Sequence, residues 1–502
     1  MATLNAAQTA TVNITTPGGY ITVDCSSGAV VQVSWVSPGG VTGQRRVLNI
    51  SEDLGPFADS TVITLRCDSG SADYSEVGSQ VPALVSKDGI GRVNVALVGD
   101  SLLASYLSTT GGTTIGALNE HSYMQWAQRF SLGVLNIKRV YAVSGTRIAD
   151  HIVQAASVDV TDTPVVFEDG GINDFNIDSA TVSYCVGKKL ALWAALKAKG
   201  VQIVSLSLLP LDAAGGGSLT KSQRIHAFNR ECQRQAPAYG VRWINLYEIG
   251  VDPTSANGYA KSGYLYDGLH NSAPYGYRAG KAIWNAISAD PMFRQSYPLA
   301  STPLDGYVAG SEVPAWLANP LFSGTAGTAN TGVTGSVPDS WEVYRGAGVP
   351  TATTTIIADP DGFGSALQIA MTATANGDQI ITRSASAVNG LALNDLFNGE
   401  VVCRVTANGG NLRCIVPFII LGVDGVNQFV YGGNLSASQL TADMLAENVP
   451  FLLSTPVVAA NKIDNSGAAI TSVRLFIAAQ FAGAGSATIV LSRARGRKLV
   501  TY

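Results

Sequence analysis

Between residues 93 and 247, short runs rich in apolar residues alternate with longer segments whose apolar residues return at helical spacing. The runs 93–98, 138–144, 164–169, 201–208 and 242–247 read as strands buried on both faces, and 121–131, 146–156, 180–199 and 221–236 as amphipathic helices. A last helix near 274–289 opens with Pro274, a favoured first-turn residue. Such alternation predicts βαβ units, and with them a five-stranded, mainly parallel sheet covered on both faces. The expected fold over residues 89–296 is a three-layer α/β/α domain.

On either side the pattern has period two. Residues 1–88 carry β-branched stretches at 10–14, 20–23, 30–35 and 61–65, separated by Gly, Pro, Ser and Asp, which predicts a small all-β domain for attachment or packing. Residues 319–502 alternate at 365–371, 399–405, 473–477 and 487–491 and predict a jelly-roll-like β-sandwich. Residues 297–318, rich in Pro and small side chains, read as the linker before it. Within the sandwich, Asn408-Gly409 is a two-residue hairpin signal that would set Cys403 opposite Cys414. There the two thiols either form a cross-strand disulfide or share an apolar face.

Composition removes several classes of function. Apolar residues are 46% and charged residues 14% of the chain, which argues against large-scale disorder. A net charge of −4, with no arginine cluster interleaved with aromatics, leaves nucleic acid a poor partner. Neither a basic segment followed by an apolar core after Met1 nor a run of about 20 apolar residues occurs, so no Sec signal and no membrane association are expected. The six cysteines show no C-x-x-C spacing. His121, His151 and His226 show no H-E-x-x-H arrangement and fit surface or helix-packing positions, so no metal and no cofactor are expected.

The candidate chemistry sits at strand ends. Gly99-Asp100-Ser101-Leu102 follows the run 93–98 directly, and Asp267-Gly268-Leu269-His270 arrives far downstream. A serine hydroxyl is a weak nucleophile at neutral pH and needs a base within hydrogen-bond reach, oriented in turn by a carboxylate. His270 and Asp267 fit those roles, because a single turn brings an acid three residues away onto one ring nitrogen. Donors for an oxyanion are also available. They are the N–H of Ser101 at the start of a helix, the N–H of Gly145 after the second strand, and the side-chain amide of Asn173 after the third. All lie on the carboxyl side of a parallel sheet, where open α/β folds place their sites.

These four blocks, Gly99-Asp100-Ser101-Leu102, Gly145, Gly171-Ile172-Asn173-Asp174 and Asp267-Gly268-Leu269-His270, resemble in content and order those of the GDSL esterases, or SGNH hydrolases, over roughly residues 90–295. The resemblance implies Ser101 as nucleophile, His270 as base, Asp267 as its partner, and Ser101, Gly145 and Asn173 as the oxyanion hole. The competing α/β-hydrolase motif G-x-S-x-G is absent. Leu102, Tyr266 and Asn271 adjoin the catalytic residues and are candidate substrate contacts. Asp100 and Asp174 read either as turn and helix-start residues or as groups that tune the site, and the loop with Gly215-Gly216-Gly217 as a variable wall of the pocket.

Asn319-Pro320-Leu321-Phe322-Ser323-Gly324, followed by Val337-Pro338-Asp339-Ser340-Trp341, resembles the start of carbohydrate-binding-type β-sandwiches of phage tail proteins and secreted glycan enzymes, and Leu54-Gly55-Pro56-Phe57-Ala58 in the N-terminal module resembles short β domains of phage tail proteins. Trp316, Trp341 and Tyr344 are candidates either for stacking on sugars or for packing. That context implies an O-acyl esterase removing acetyl groups from an acetylated polysaccharide, on a virion tail or secreted without a Sec signal. A homotrimer or other tail components are the implied partners, although no coiled-coil heptads accompany them. A general lipase, arylesterase or thioesterase of the same family, and a non-catalytic glycan-binding adhesin, are the alternatives left open.

Overall fold

The computed structural model describes residues 2–13, 19–25, 29–36, 42–48, 51–57, 61–77, 92–104, 114–115, 119, 121–161, 163–293, 299–306, 315–386, 395–423, 426–432, 447–459 and 470–499. Two units divide the chain, Met1–Val85 and Ser86–Tyr502. The boundary expected at residues 88 and 89 lies outside the described residues.

In the first unit the period-two pattern becomes eight strands: β1 (Ala2–Asn5), β2 (Thr9–Asn13), β3 (Gly19–Cys25), β4 (Val30–Val36), β5 (Thr42–Leu48), β6 (Ser51–Phe57), β7 (Val62–Ser69) and β8 (Ser71–Val77). They form two four-stranded sheets, in the orders β1-β8-β3-β6 and β2-β7-β4-β5. Alternation sorts the faces. Val31 and Val33 are buried while Gln32 between them is exposed, and they join Leu4, Val23, Ile63 and Leu65 in one core.

The second unit opens with the α/β part: β9 (Val93–Val98), α1 (Ser101–Ala104), β10 (Thr114–Ile115), α2 (Tyr123–Phe130), β11 (Leu135–Val140), α3 (Ile148–Ser157), β12 (Val165–Glu168), α4 (Ile172–Asn176), α5 (Val182–Ala198), β13 (Gln202–Leu206), α6 (Leu219–Gln235), β14 (Arg242–Ile244), α7 (Tyr247–Gly250) and α8 (Ala273–Ile287). Its five-stranded sheet has the order β11-β9-β12-β13-β14, parallel throughout. Every residue of β9 and β12 is buried, as strands covered by helices on both faces require. No helix among the described residues is long and apolar enough to cross a membrane.

One strand starts earlier than its sequence suggests. The run expected at 138–144 is β11, because Leu135 already pairs with Val93. As an edge strand, β11 is only partly buried after Leu135, and polar Asn136 interrupts the apolar pattern at its start.

The remainder of the unit is β15 (Thr328–Ala329), β16 (Val333–Gly335), β17 (Trp341–Ala347), β18 (Thr351–Ala358), β19 (Ser365–Ala373), β20 (Gln379–Ser384), β21 (Leu396–Asn408), β22 (Leu412–Val423), β23 (Val426–Tyr431), β24 (Phe451–Ser454), β25 (Val458–Ala459), β26 (Ile470–Phe481) and β27 (Gly485–Leu499). Two seven-stranded sheets result, β10-β23-β22-β26-β20-β17-β15 and β16-β18-β19-β27-β21-β24 with β25 beside β21. Val401, Cys403, Ile489 and Leu491 of one sheet and Cys414, Val416, Leu475 and Ile477 of the other share one core. Trp316 and Trp341, candidates for sugar stacking, are 1% and 2% exposed in that core, and Tyr344 packs partly buried against a neighbouring cluster.

Two expectations are corrected here. Asn408-Gly409 does not turn a hairpin: β21 and β22 belong to opposite sheets, and the Gly409 N–H bonds Ser486 O of β27 instead. Left-handed Gly410 and Asn411, at φ 109° and 60°, carry the chain across the sandwich, and Cys403 and Cys414 are buried and form no disulfide with each other. Nor does the described part of 297–318 behave as a free linker. Leu299, Ala300, Trp316 and Leu317 are buried, and Trp126, Phe130 and Tyr277 of the α/β part belong to the sandwich core. A buried ion pair, Arg92 to Glu400 at 3.1 Å, joins the two parts as well. They fold around shared apolar surface rather than as tethered modules.

Candidate active site

Strand β9, second in the sheet, ends at Val98, and the chain turns through Gly99 and Asp100 so that Ser101 opens α1. The turn is held from both sides. Gln154 of α3 accepts the Gly99 N–H at 3.0 Å and donates to the Gly99 carbonyl at 3.1 Å, and Asp100 Oδ1 accepts the Leu102 N–H at 3.1 Å. Leu102, expected to touch substrate, is 1% exposed and packs into the interior.

Across the cleft, Asp267-Gly268-Leu269-His270 forms a tight turn closed by a hydrogen bond from the Tyr266 N–H to the His270 carbonyl, 3.0 Å. Asp267 Oδ1 accepts the N–H groups of Leu269 and His270 at 3.0 and 2.7 Å, which leaves Oδ2 for His270 Nδ1 at 2.7 Å. His270 Nε2 then lies 2.9 Å from Ser101 Oγ. The structure thus brings Ser101, His270 and Asp267 into one relay. Partial burial raises the Asp267 pKa, but the hydrogen bonds from His270 and Leu269 outweigh it and hold the carboxyl below its usual range, so it stays ionised beside the imidazole.

Residues 97–279 match the model of the GDSL-like lipase/acylhydrolase family. They form a GDSL-like lipase/acylhydrolase domain. Among solved structures, this chain is similar to a GDSL-like lipase from Bacteroides thetaiotaomicron, at 17% identity over 39% of this chain and 88% of that one, with a TM-score of 0.30. It is also similar to a member of the lipolytic protein G-D-S-L family from Veillonella parvula, at 14% identity, 39% and 98% coverage and a TM-score of 0.30. A carbohydrate esterase of family 3 from Talaromyces cellulolyticus matches at 18% identity, 41% and 100% coverage and a TM-score of 0.28. No curated protein matches the sequence.

The donors expected for an oxyanion lie around the same turn. Gly145 is exposed at φ 81°, in a loop tied to Gly99 through the Val143 N–H at 3.0 Å and Thr146 Oγ1 at 3.2 Å. Asn173, 4% exposed in the first turn of α4, donates one amide N–H to the Thr146 carbonyl at 2.9 Å and keeps the other. The N–H groups of Ser101 and Gly145 have no acceptor among the described residues. His151 is fully buried, with Nε2 3.1 Å from Thr146 Oγ1, and burial pushes its pKa down to about 3. It is therefore neutral and helps fix the Gly145 loop.

Of the other expected contacts, Asn271 is 3% exposed and donates its amide to the His121 carbonyl, which makes it a brace behind the turn. Tyr266 is 60% exposed and lies nearly parallel to the His270 ring, 5.8 Å between centroids. Asp174 accepts the Ile148 N–H at 3.1 Å at the start of α3, the structural place its sequence position suggests.

Sequence reasoning missed one support altogether. The loop with Gly215-Gly216-Gly217, expected as a variable wall, carries the catalytic turn: Asp212 Oδ1 accepts the Ala214 and Gly215 N–H groups, and the Asp212 N–H bonds the Gly268 carbonyl at 3.0 Å. Gly268 sits at φ 84°, and a Cβ there would lie 2.1 Å from both Asp212 Oδ1 and Gly215 N. Gly268→Ala is therefore expected to displace Asp267 and His270 and lower kcat/KM for p-nitrophenyl acetate by about 10²-fold or more. Circular dichroism recorded beside the kinetics will show the fold retained if the effect is local.

Proposed function

We propose that the protein is a serine O-acyl esterase that removes acetyl groups from a polysaccharide, carried on a virion tail or similar extracellular particle. The relay Asp267–His270–Ser101, at 2.7 and 2.9 Å, carries this reading. Ser101 Oγ attacks the ester carbonyl while His270 Nε2 takes its proton. The tetrahedral oxyanion is met by the Ser101 and Gly145 N–H groups and the Asn173 amide, and His270 returns the proton to the leaving alkoxide as the sugar hydroxyl departs. Water, deprotonated by the same imidazole, attacks the acetyl-enzyme, and acetate leaves as Ser101 recovers its proton.

Openness of the relay favours a bulky alcohol. The His270 and Asp267 side chains are 27% and 42% exposed, so a substrate too large to be engulfed can reach them from solvent. Exposed Tyr266 beside His270 adds a flat ring against which a sugar can lie.

Acetate release from a panel of acetylated bacterial and plant glycans, with Ser101→Ala as the control, tests the reading. Activity on p-nitrophenyl esters is expected to fall steeply from acetyl to octanoyl. A rise toward octanoyl with no acetate from any glycan points to a lipase or thioesterase instead. Glycan binding with no hydrolysis at all would identify an adhesin. Asn173→Ala is expected to lower kcat about 10²–10³-fold at nearly constant KM in steady-state assays, the loss of one oxyanion donor.

A further inference from the structure

Beneath the nucleophile turn lie three fully buried carboxyl groups, Asp100, Glu168 and Asp169, with one buried cation, Lys189. Glu168 takes that cation for itself: Lys189 Nζ sits 2.6 Å from Glu168 Oε2, and Trp193 Nε1 donates to Oε1 at 2.6 Å. Asp100 and Asp169 are left with neutral donors, the Leu102 N–H on Asp100 Oδ1 and the Tyr123 hydroxyl on Asp169 Oδ2. Among the described residues, each keeps one buried oxygen without a hydrogen-bond partner, Asp100 Oδ2 and Asp169 Oδ1. The two residues lie on neighbouring strand ends, since β9 pairs with β12 and the Asp169 N–H bonds the Val98 carbonyl at 3.2 Å.

Two buried carboxylates on neighbouring strand ends repel each other, and a dry interior disfavours ionising both. We propose that Asp100 and Asp169 hold one proton between them, and that this proton positions the Ser101 turn. With Asp169 as the acid and Asp100 as the carboxylate, Asp100 continues to accept the Leu102 N–H and anchors the first turn of α1. The negative charge beneath the oxyanion site is then one instead of two. Loss of the proton puts two like charges under Ser101, which pushes the nucleophile turn apart and opposes the developing oxyanion. Both aspartates act through Ser101 and are positioning residues. The inference rests on the reading of Ser101 as nucleophile.

Among the described residues, charged and titratable groups face the pair from several elements. Lys189 from α5, and His270 when protonated, favour ionisation, while Glu168 of β12 and Asp174 of α4 oppose it. Tyr123 of α2 and Tyr275 of α8 are buried beside Asp169, with their pKa values raised well above 10, so they stay neutral. Burial pushes Asp100 up to about 6, and burial together with the Asp100 charge pushes Asp169 up to about 8. The folded state therefore holds protons that the unfolded chain releases near pH 4. The stability associated with them is complete below that pH and is lost as pH rises through about 8.

Infrared difference spectra of the full chain, parent minus Asp169→Asn, read the proton directly. At pH 7 the parent is expected to show the C=O stretch of a protonated carboxyl that Asp169→Asn lacks, and that band is expected to disappear as pH passes about 8. The kcat of the parent on p-nitrophenyl acetate is expected to fall at least about tenfold over the same interval. Asp169→Asn, whose amide N–H replaces the acid O–H, flattens this limb, whereas Asp169→Ala loses activity at every pH. No protonated-carboxyl band in the parent at pH 7, or a band that survives in Asp169→Asn, overturns the inference even if the enzyme is fully active. If no ester is hydrolysed the functional reading fails, and the band still decides whether the proton is there.

Discussion

Ser101→Ala and His270→Ala are each expected to lower kcat for p-nitrophenyl acetate by about 10⁴–10⁶-fold, with the double variant no worse than either one. Neither residue is expected to work without its partner, since the 2.9 Å contact between Ser101 Oγ and His270 Nε2 is the route proposed for the serine proton. Asp267→Ala is expected to cost less, about 10²–10⁴-fold. Its side chain is 42% exposed, so water can take over part of its contact with Nδ1. Its second task, accepting the Leu269 and His270 N–H groups, adds a loss of order in the turn that Asp267→Asn retains. Steady-state kinetics of the single and double variants, beside thermal unfolding, check these magnitudes and the lack of additivity.

Removing the C-terminal sandwich is expected to abolish folding of the hydrolase domain rather than merely weaken substrate binding. Cut after residue 296, the chain exposes Trp126, Phe130 and Tyr277, which are 1%, 4% and 2% exposed in the intact unit. Arg92 loses Glu400, and the Arg129 guanidinium loses the Gly432 carbonyl it meets at 3.1 Å. Each large aromatic side chain contributes roughly 2–3 kcal/mol when buried, against a total stability of about 5–15 kcal/mol for an ordinary domain. Residues 86–296 alone are expected to aggregate or bind hydrophobic dyes. Trp126→Ala in the full chain is expected to lose about 3–5 kcal/mol in denaturant unfolding. A soluble, active 86–296 fragment would show that the sandwich is a detachable module after all.

That fused interior marks where the sequence stops being legible. β9 is read at its observed limits because a largely apolar run followed by Gly-Asp-Ser has few other meanings, and the helices at 182–198 and 219–235 lie within two residues of their sequence limits. The relay is also legible, because its acid and base share one four-residue turn whose geometry is local. Contacts between distant segments are not. Asp212 supporting Gly268, Gln154 clasping Gly99 and Tyr123 reaching Asp169 are set by tertiary packing, and each of these residues looks like ordinary loop or helix surface in the sequence. Asn408-Gly409 misleads for the same reason: the turn signal is genuine, but the partner that decides between hairpin and crossover is β27, some 80 residues away.

Treatment of the full chain with a p-nitrophenyl alkylphosphonate, followed by peptide mass spectrometry, tests the central claim most directly. One phosphonyl adduct on the peptide containing Ser101, formed in the parent and strongly slowed in His270→Ala, is the expected result. An unlabelled Ser101 in protein that still hydrolyses esters, or an adduct on a different residue, would contradict the account.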